Sequence, residues 1–278
     1  MLYTSPSYGK KGPQSSTDDI STYPPLGNPE VTNFIQSANG AIMAYAIACD
    51  PTMLPATSAI ACESANPTQR TLDNTLRLLG YAASYPNNQL VFHKSDMVLR
   101  GYVDASYNSR AGSKSVAGGF VYFGEHPNGI VAAMSKVIKV VCASAGEAEY
   151  GGLFMQAQSS TSIRNTAEDL GHPQPATNLK VDNSFAVGLA NNKIKAKHSK
   201  AIDMRYNWIQ DQVRQHKFDV TWVAGQDNLA DFFTKPLPAW RHKELMKLLV
   251  HTPRDANVVR SPSQIRRSRE WKSRAMPT

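Results

Sequence analysis

The spacing of apolar residues changes character along the chain, and each change marks a different kind of element. Residues 1–30 hold five prolines among Ser, Thr and Gly with little apolar periodicity, which reads as a disordered leader. From Val31 the pattern turns helical: Val31, Phe34, Ile35, Ala38, Ile42, Tyr45 and Ala46 fall near one face, weakened by Gly40. A cleaner helix follows, with Thr68 placed to cap it, a Leu72, Leu76 and Leu79 stripe, and Pro86 beyond its end. These helices are too few for a domain of their own. They are expected to pack on the segment that follows, or on a partner absent from this chain.

From about Gln89 the pattern becomes that of strands. LVF, VLRGYVDAS, VAGGFVYFG and IVAAMSKV are short β-rich runs separated by polar turns, as in an antiparallel meander, and NSRAGS and GEHPNG suit hairpin loops. A helix is predicted from about Ala145 to Leu170, stopped by Gly171-His172-Pro173. NLKVD then reads as a strand, NSFAVGLAN as a helix capped by Asn183 or Ser184, and AIDMRYNWIQDQVRQ as an amphipathic helix. KFDVTWV is the last strand, with NLADFFTK and AWRHKELMKLLV as closing helices. The order β-β-β-α-β-α-α-β-α predicts an α/β fold, a mixed sheet with helices on its faces.

Composition limits the function classes. The net charge of +8 and pI near 9.3 favour a polyanionic partner, most simply nucleic acid. The tail from His251 to Thr278 carries +5 of that charge, so the remainder is only mildly basic. Cys49, Cys62 and Cys142 form no CxxC, which argues against a disulfide framework or a zinc ribbon. No apolar run approaches the ~18–20 residues that span a bilayer, and the N-terminus lacks a signal-peptide pattern. The expectation is an intracellular protein, cytoplasmic or nuclear, with no membrane partner.

Four acidic residues carry the candidate chemistry. Asp104 in GYVDASY and Asp182 in LKVDNSF each close an apolar run, as if at a strand end. Glu149 in GEAEYGGLF and Asp231 in NLADFFTK lie in helical stretches. Each has a plain alternative: a strand carboxylate paired with a cation, a backbone amide or a lysine, a helix cap, or a first-turn acid. Glu149 shares a face with Leu153, Gln156 and Ala157, the side expected to pack inward, which leaves Glu147 the more solvated of the two. If Asp104 and Asp182 end adjacent parallel strands, their carboxylates lie side by side, where open α/β sheets place their sites. Acid clusters gathered from distant segments can hold two divalent cations for phosphoryl chemistry.

Taken together, GYVDASYNSRAGSKSVAGGFVYFG, the SAGEAEYGGLF helix, LGHPQPATNLKVDNSFAVGLANN, SKAIDMRYNWIQDQVRQHKFDVTWV and NLADFFTKPL resemble the ribonuclease H domain of a copia-type LTR retrotransposon Gag-Pol polyprotein, over roughly residues 97–240. YTSPSYGKKG, DPTML and RLLGYAASYP resemble the connection that follows a reverse transcriptase in such polyproteins. The resemblance implies a five-stranded mixed sheet in the order 3-2-1-4-5 with helices on both faces. Together with the compositional reading of the two ends, it divides the chain into a disordered leader (1–30), a helical remnant of the connection (31–88), a ribonuclease H-like domain (89–250) and a basic disordered tail (251–278), the tail lying outside the resemblance. It makes Asp104, Glu149, Asp182 and Asp231 both the catalytic residues and the ligands of two Mg²⁺ ions, with Mn²⁺ possible, converging within ~4–8 Å. The implied activity is endonucleolytic hydrolysis of the RNA strand of an RNA–DNA hybrid, the alternative being an inactive nucleic-acid-binding remnant. Lys193, Lys195, Lys197 and Lys200 are candidate backbone contacts to the hybrid, or else a solvated loop. The reverse transcriptase of the parent polyprotein is a further candidate partner. One departure is VAGQDNLAD, which lacks the loop histidine that many ribonucleases H carry before the last acid. Another is the lack of palm, protease and integrase segments, as expected of a C-terminal polyprotein fragment.

Overall fold

The computed structural model describes residues 24–110, 112–194 and 203–253, with backbone alone for 203–206. Most of the expected leader and tail, and Lys195, Lys197 and Lys200, lie outside the described residues. The first helix, α1 (Pro29–Ala48), begins two residues before the apolar stripe. Asn28 caps it by accepting from the amides of Glu30 and Val31, and Pro29 fits its first turn. A 3-10 turn at Pro51–Met53 leads to α2 (Leu54–Glu63), which the apolar pattern does not announce. Two of its buried positions are Thr57 and Ser58, and Thr57 satisfies its hydroxyl on the Met53 and Leu54 carbonyls. Thr68 caps α3 (Gln69–Ser84) through a reciprocal box with Thr71.

Five strands follow: β1 (Leu99–Arg110), β2 (Lys114–Phe123), β3 (Ala132–Val137), β4 (Thr177–Val181) and β5 (Phe218–Trp222). They form one sheet in the order β3-β2-β1-β4-β5. β1, β2 and β3 pair antiparallel, while β4 runs parallel to both β1 and β5. This is the five-stranded mixed sheet, in the order 3-2-1-4-5, that the resemblance implied. LVF is a correction. Residues 90–92 form no strand, and the next residue, His93, bonds to a side chain instead of a neighbouring strand: Asn128 accepts from its amide and donates to its carbonyl. Regular pairing here is limited to a bridge between Gln89 and His251.

One face of the sheet is covered by α4 (Ala145–Asp169), α5 (Ser184–Ala190) and α6 (Asp203–Arg214), around Val103, Leu179, Val181, Val220, Tyr150, Leu153 and Leu189. On the other face Tyr102, Phe120 and Tyr122 pack against α1–α3 together with α7 (Asp231–Thr234) and α8 (Ala239–Leu249). The early helices therefore share a core with the sheet. Ring centroids of Tyr102–Phe120 and Phe120–Phe233 lie 5.4 and 5.8 Å apart, so this aromatic cluster joins α7 to the strands.

Candidate metal centre

The register of β1 on β4 places two acids side by side. Val103 pairs with Val181, so Asp104 and Asp182 are the next residues on neighbouring parallel strands. One expectation needs correcting. Asp104 does not end its strand, since β1 continues to Arg110 against β2. What ends there is the pairing to β4, which turns away into α5 with Asn183 as its cap. Asp104 consequently has strand on both sides and is fully buried, whereas Asp182 lies half-buried at the rim.

Asp231 opens the four-residue helix α7, which lies across the end of this pair. Its close approach depends on Gly118 in β2. A Cβ there would meet Thr234 Cγ2 at 2.5 Å and Phe233 Cβ at 2.8 Å. Carboxylate oxygens of Asp104, Asp182 and Asp231 all come within 4.8 Å of one another. Glu149 stands outside that group of three, close enough to feel the charges of Asp104 and Asp182. It sits in the first turns of α4, where Gly152 lets the helix approach the Asp104 carbonyl; a Cβ would lie 3.2 Å from that oxygen. Glu149 is buried, and its Oε2 has no hydrogen-bond partner. Glu147 has a different role: its carboxylate accepts the Ala143 amide at 2.6 Å, completing the cap that Ser144 begins.

Burial is the largest influence on these acids. It raises the pKa values of Asp104, Glu149 and Asp182 above the ordinary carboxylate range, and repulsion from neighbouring acids adds to it: Asp231 and Asp182 on Asp104, Asp104 and Asp182 on Glu149, and Asp231 on Asp182. The opposing group is one that the sequence reading did not single out. Lys235 places Nζ 2.5 Å from Asp231 Oδ1 and 3.4 Å from Asp104 Oδ2. Burial alone would depress its ammonium, but Asp104, Asp231 and Asp182 outweigh that and raise it. Thr234 donates to Asp104 Oδ2. Asn228, wholly buried, donates to the Val103 carbonyl at 2.9 Å and also bonds to Asp182. Trp222 donates its indole N–H to the Asp182 carbonyl at 3.0 Å. The i, i+4 spacing of Asp231 and Lys235 is the one local signal in the sequence for this pair, and it carries no hint of the contact to Asp104.

The donors are all hard carboxylate oxygens, drawn from strand β1, the residue that follows β4 and two helices, and one of them, Glu149 Oε2, is buried without a partner. That set suits Mg²⁺ or Mn²⁺ rather than a softer ion. Of the basic loop, only Lys193 is described; it is exposed in the turn after α5.

No family model matches the chain. It is similar to the retrovirus-related Pol polyprotein of transposon TNT 1-94 from Nicotiana tabacum, 29% identical over 216 residues, which is 77% of this chain and 16% of the polyprotein. An alignment of that length exceeds everything from β1 to the C-terminus, so it reaches into the helices before the sheet. The Pol polyprotein of transposon RE1 from Arabidopsis thaliana is 33% identical over 178 residues, covering 62% of this chain and 12% of that protein. The chain thus spans a small part of the relatives it matches. Among solved structures, the N-terminal RNase H domain of rv2228c from Mycobacterium tuberculosis aligns at 17% identity and a TM-score of 0.39, over 54% of this chain and 94% of that one.

Proposed function

Starting from kinship with retrotransposon Pol polyproteins and a ribonuclease H-like sheet, we propose that the chain hydrolyses the RNA strand of RNA–DNA hybrids. The observation that carries this reading is the meeting of Asp104, Asp182 and Asp231 beside the unpartnered Glu149 oxygen. Asp104, Glu149, Asp182 and Asp231 would hold two Mg²⁺ ions. Bound there, such ions supply an activated water and charge relief at the leaving 3′ oxygen. The chain's own residues set the geometry. Thr234 fixes the Asp104 rotamer, and Asn228 ties Asp182 to the β1 backbone, so both carboxylates are aimed before any substrate arrives. Selection of RNA would rest on contacts to 2′-hydroxyls in the wide minor groove of the hybrid. Exposed Lys193 is a candidate backbone contact. Helices α1–α3 are where a preceding reverse transcriptase would connect.

The test is cleavage of a labelled hybrid by the purified chain with and without Mg²⁺. Asp104→Asn and Asp182→Asn are each expected to lower the rate at least about a hundredfold, with circular dichroism unchanged. Activity that survives both substitutions overturns the reading. A second reading, an inactive nucleic-acid binder, draws on the ammonium of Lys235 already seated among the acids. Hybrid binding by the wild-type chain with no Mg²⁺-dependent cleavage would decide for it.

A further inference from the structure

We propose that Lys235 is a tethered counter-ion of this acid cluster, occupying the cation position until a divalent ion displaces it. The inference rests on the metal reading above and concerns what competes for that place. Asp104 is fully buried, and a buried carboxylate without a compensating partner is costly. Among the described residues, Lys235 is the cation in salt-bridge contact with it, and it reaches Asp231 as well. Three carboxylates within 4.8 Å of one another leave little room for both a divalent ion and an ammonium that already lies 2.5–3.5 Å from two of them. Like charges that close repel strongly in a partly desolvated site. Lys235 has a way out. Its side chain is 43% exposed, and the four-carbon stem is flexible, so the ammonium can swing to solvent without moving the backbone. A divalent ion then binds with the free energy of its own contacts less that of releasing the lysine.

The same geometry separates two states of the protein. Without a divalent ion, Lys235 relieves repulsion among the acids and supports the fold. With one bound, it no longer has that role. Lys235→Met should therefore have opposite effects in the two conditions, a pattern that a simple packing role would not produce.

The experiment uses the whole chain and Mn²⁺ alone as probe, with calorimetric titration and thermal unfolding in chelator. Lys235→Met is expected to bind Mn²⁺ ~10-fold more tightly than wild type. In chelator its unfolding midpoint should fall by about 2–4 °C or more. Lys235→Arg keeps the charge and should restore both values towards wild type. If the Met variant does not fold in chelator, folding on addition of Mn²⁺ supports the proposal. Lys235→Gln, which keeps hydrogen bonding but no charge, then provides the affinity comparison. Mn²⁺ affinity equal to or weaker than wild type in both neutral variants overturns it. The outcomes separate from those of the catalytic reading. Equal affinities with intact cleavage sink only the counter-ion role, while tighter binding in a chain that cleaves no hybrid sinks only the nuclease.

Discussion

At the scale of single residues, the site depends on small distances around Asp104. Its carboxylate is held by Thr234 and Lys235, both reached only because α7 lies directly on β2 at Gly118. Gly118→Ala would drive a methyl into Thr234 and Phe233, and Phe233 is itself wholly buried, so neither neighbour can yield cheaply. The expected cost is ~1–3 kcal/mol of stability. A larger proportional loss of hybrid cleavage should accompany it, because the shift would carry Asp231 and Lys235 with it. Gly80→Ala is the matched comparison. That helical position has nothing within 4 Å, and alanine there should stabilise by ~0.5–1 kcal/mol with cleavage unchanged. Urea denaturation and a cleavage assay on the pair would decide it, and a Gly118→Ala chain as stable as wild type would contradict the close-approach argument. The four acids could be picked out in the sequence because each interrupts or adjoins an apolar run. Thr234 and Asn228 could not be picked out in the same way, and Lys235 only through its spacing from Asp231. Their partners lie more than a hundred positions away in the chain for Asp104 and Val103, and no local pattern signals such contacts.

At the scale of elements, period and punctuation announced what local chemistry decides. Thr68 caps α3, Asn183 caps α5, and Gly171, with φ of +88°, follows the end of α4, each a stop or start that the residues impose on their own neighbours. The elements that escaped notice are those settled by tertiary contact. Helix α2 buries threonine and serine and so has no apolar stripe, and LVF runs without strand pairing into His93, whose amide and carbonyl bond to Asn128. Helix α8 yields a pH prediction. Its His242 packs against Phe232 of α7 at a ring distance of 4.8 Å and edge-on to Tyr81 of α3 at 5.8 Å. Burial lowers its pKa below the ordinary 6.5, so the folded chain keeps it neutral where an unfolded chain would protonate it. Its contribution to stability is complete above pH 6.5 and is lost as pH falls through the lowered folded value. His242→Phe keeps an aromatic ring without the charge. It should flatten the fall in unfolding midpoint between pH 7 and pH 5, and an unchanged slope would show that other groups set it.

At the scale of the whole molecule, the segment before the sheet bears on the acid cluster through the core. Ile35, Ile42, Leu54, Ile60 and Leu78 from α1–α3, with Met53 from the turn before α2, occupy the same apolar cluster as Tyr102, Phe120 and Tyr122 from the strands and Phe232 and Phe233 from α7. Arg110 at the far end of β1 also donates to the Pro55 carbonyl in α2. Removing the helices would strip from Tyr102, Phe120, Tyr122 and Phe233 the cover that α1–α3 provide, leaving only α7 and α8 on that face. At ~1.5–3 kcal/mol for each fully buried large apolar side chain, that loss is comparable to the ~5–15 kcal/mol by which a folded domain exceeds its unfolded state. A chain beginning at Gln89 is therefore expected to lose its cooperative thermal transition, to bind a hydrophobic dye, and to cleave no hybrid, although it keeps all four acids. The cause lies in α7. With α1–α3 gone, only α8 remains to hold Phe232 and Phe233 against the sheet, and Asp231 and Lys235 lose their fixed place beside Asp104. A truncated chain that unfolds cooperatively within a few degrees of the full one would mean that the sheet and its later helices form a complete core without α1–α3.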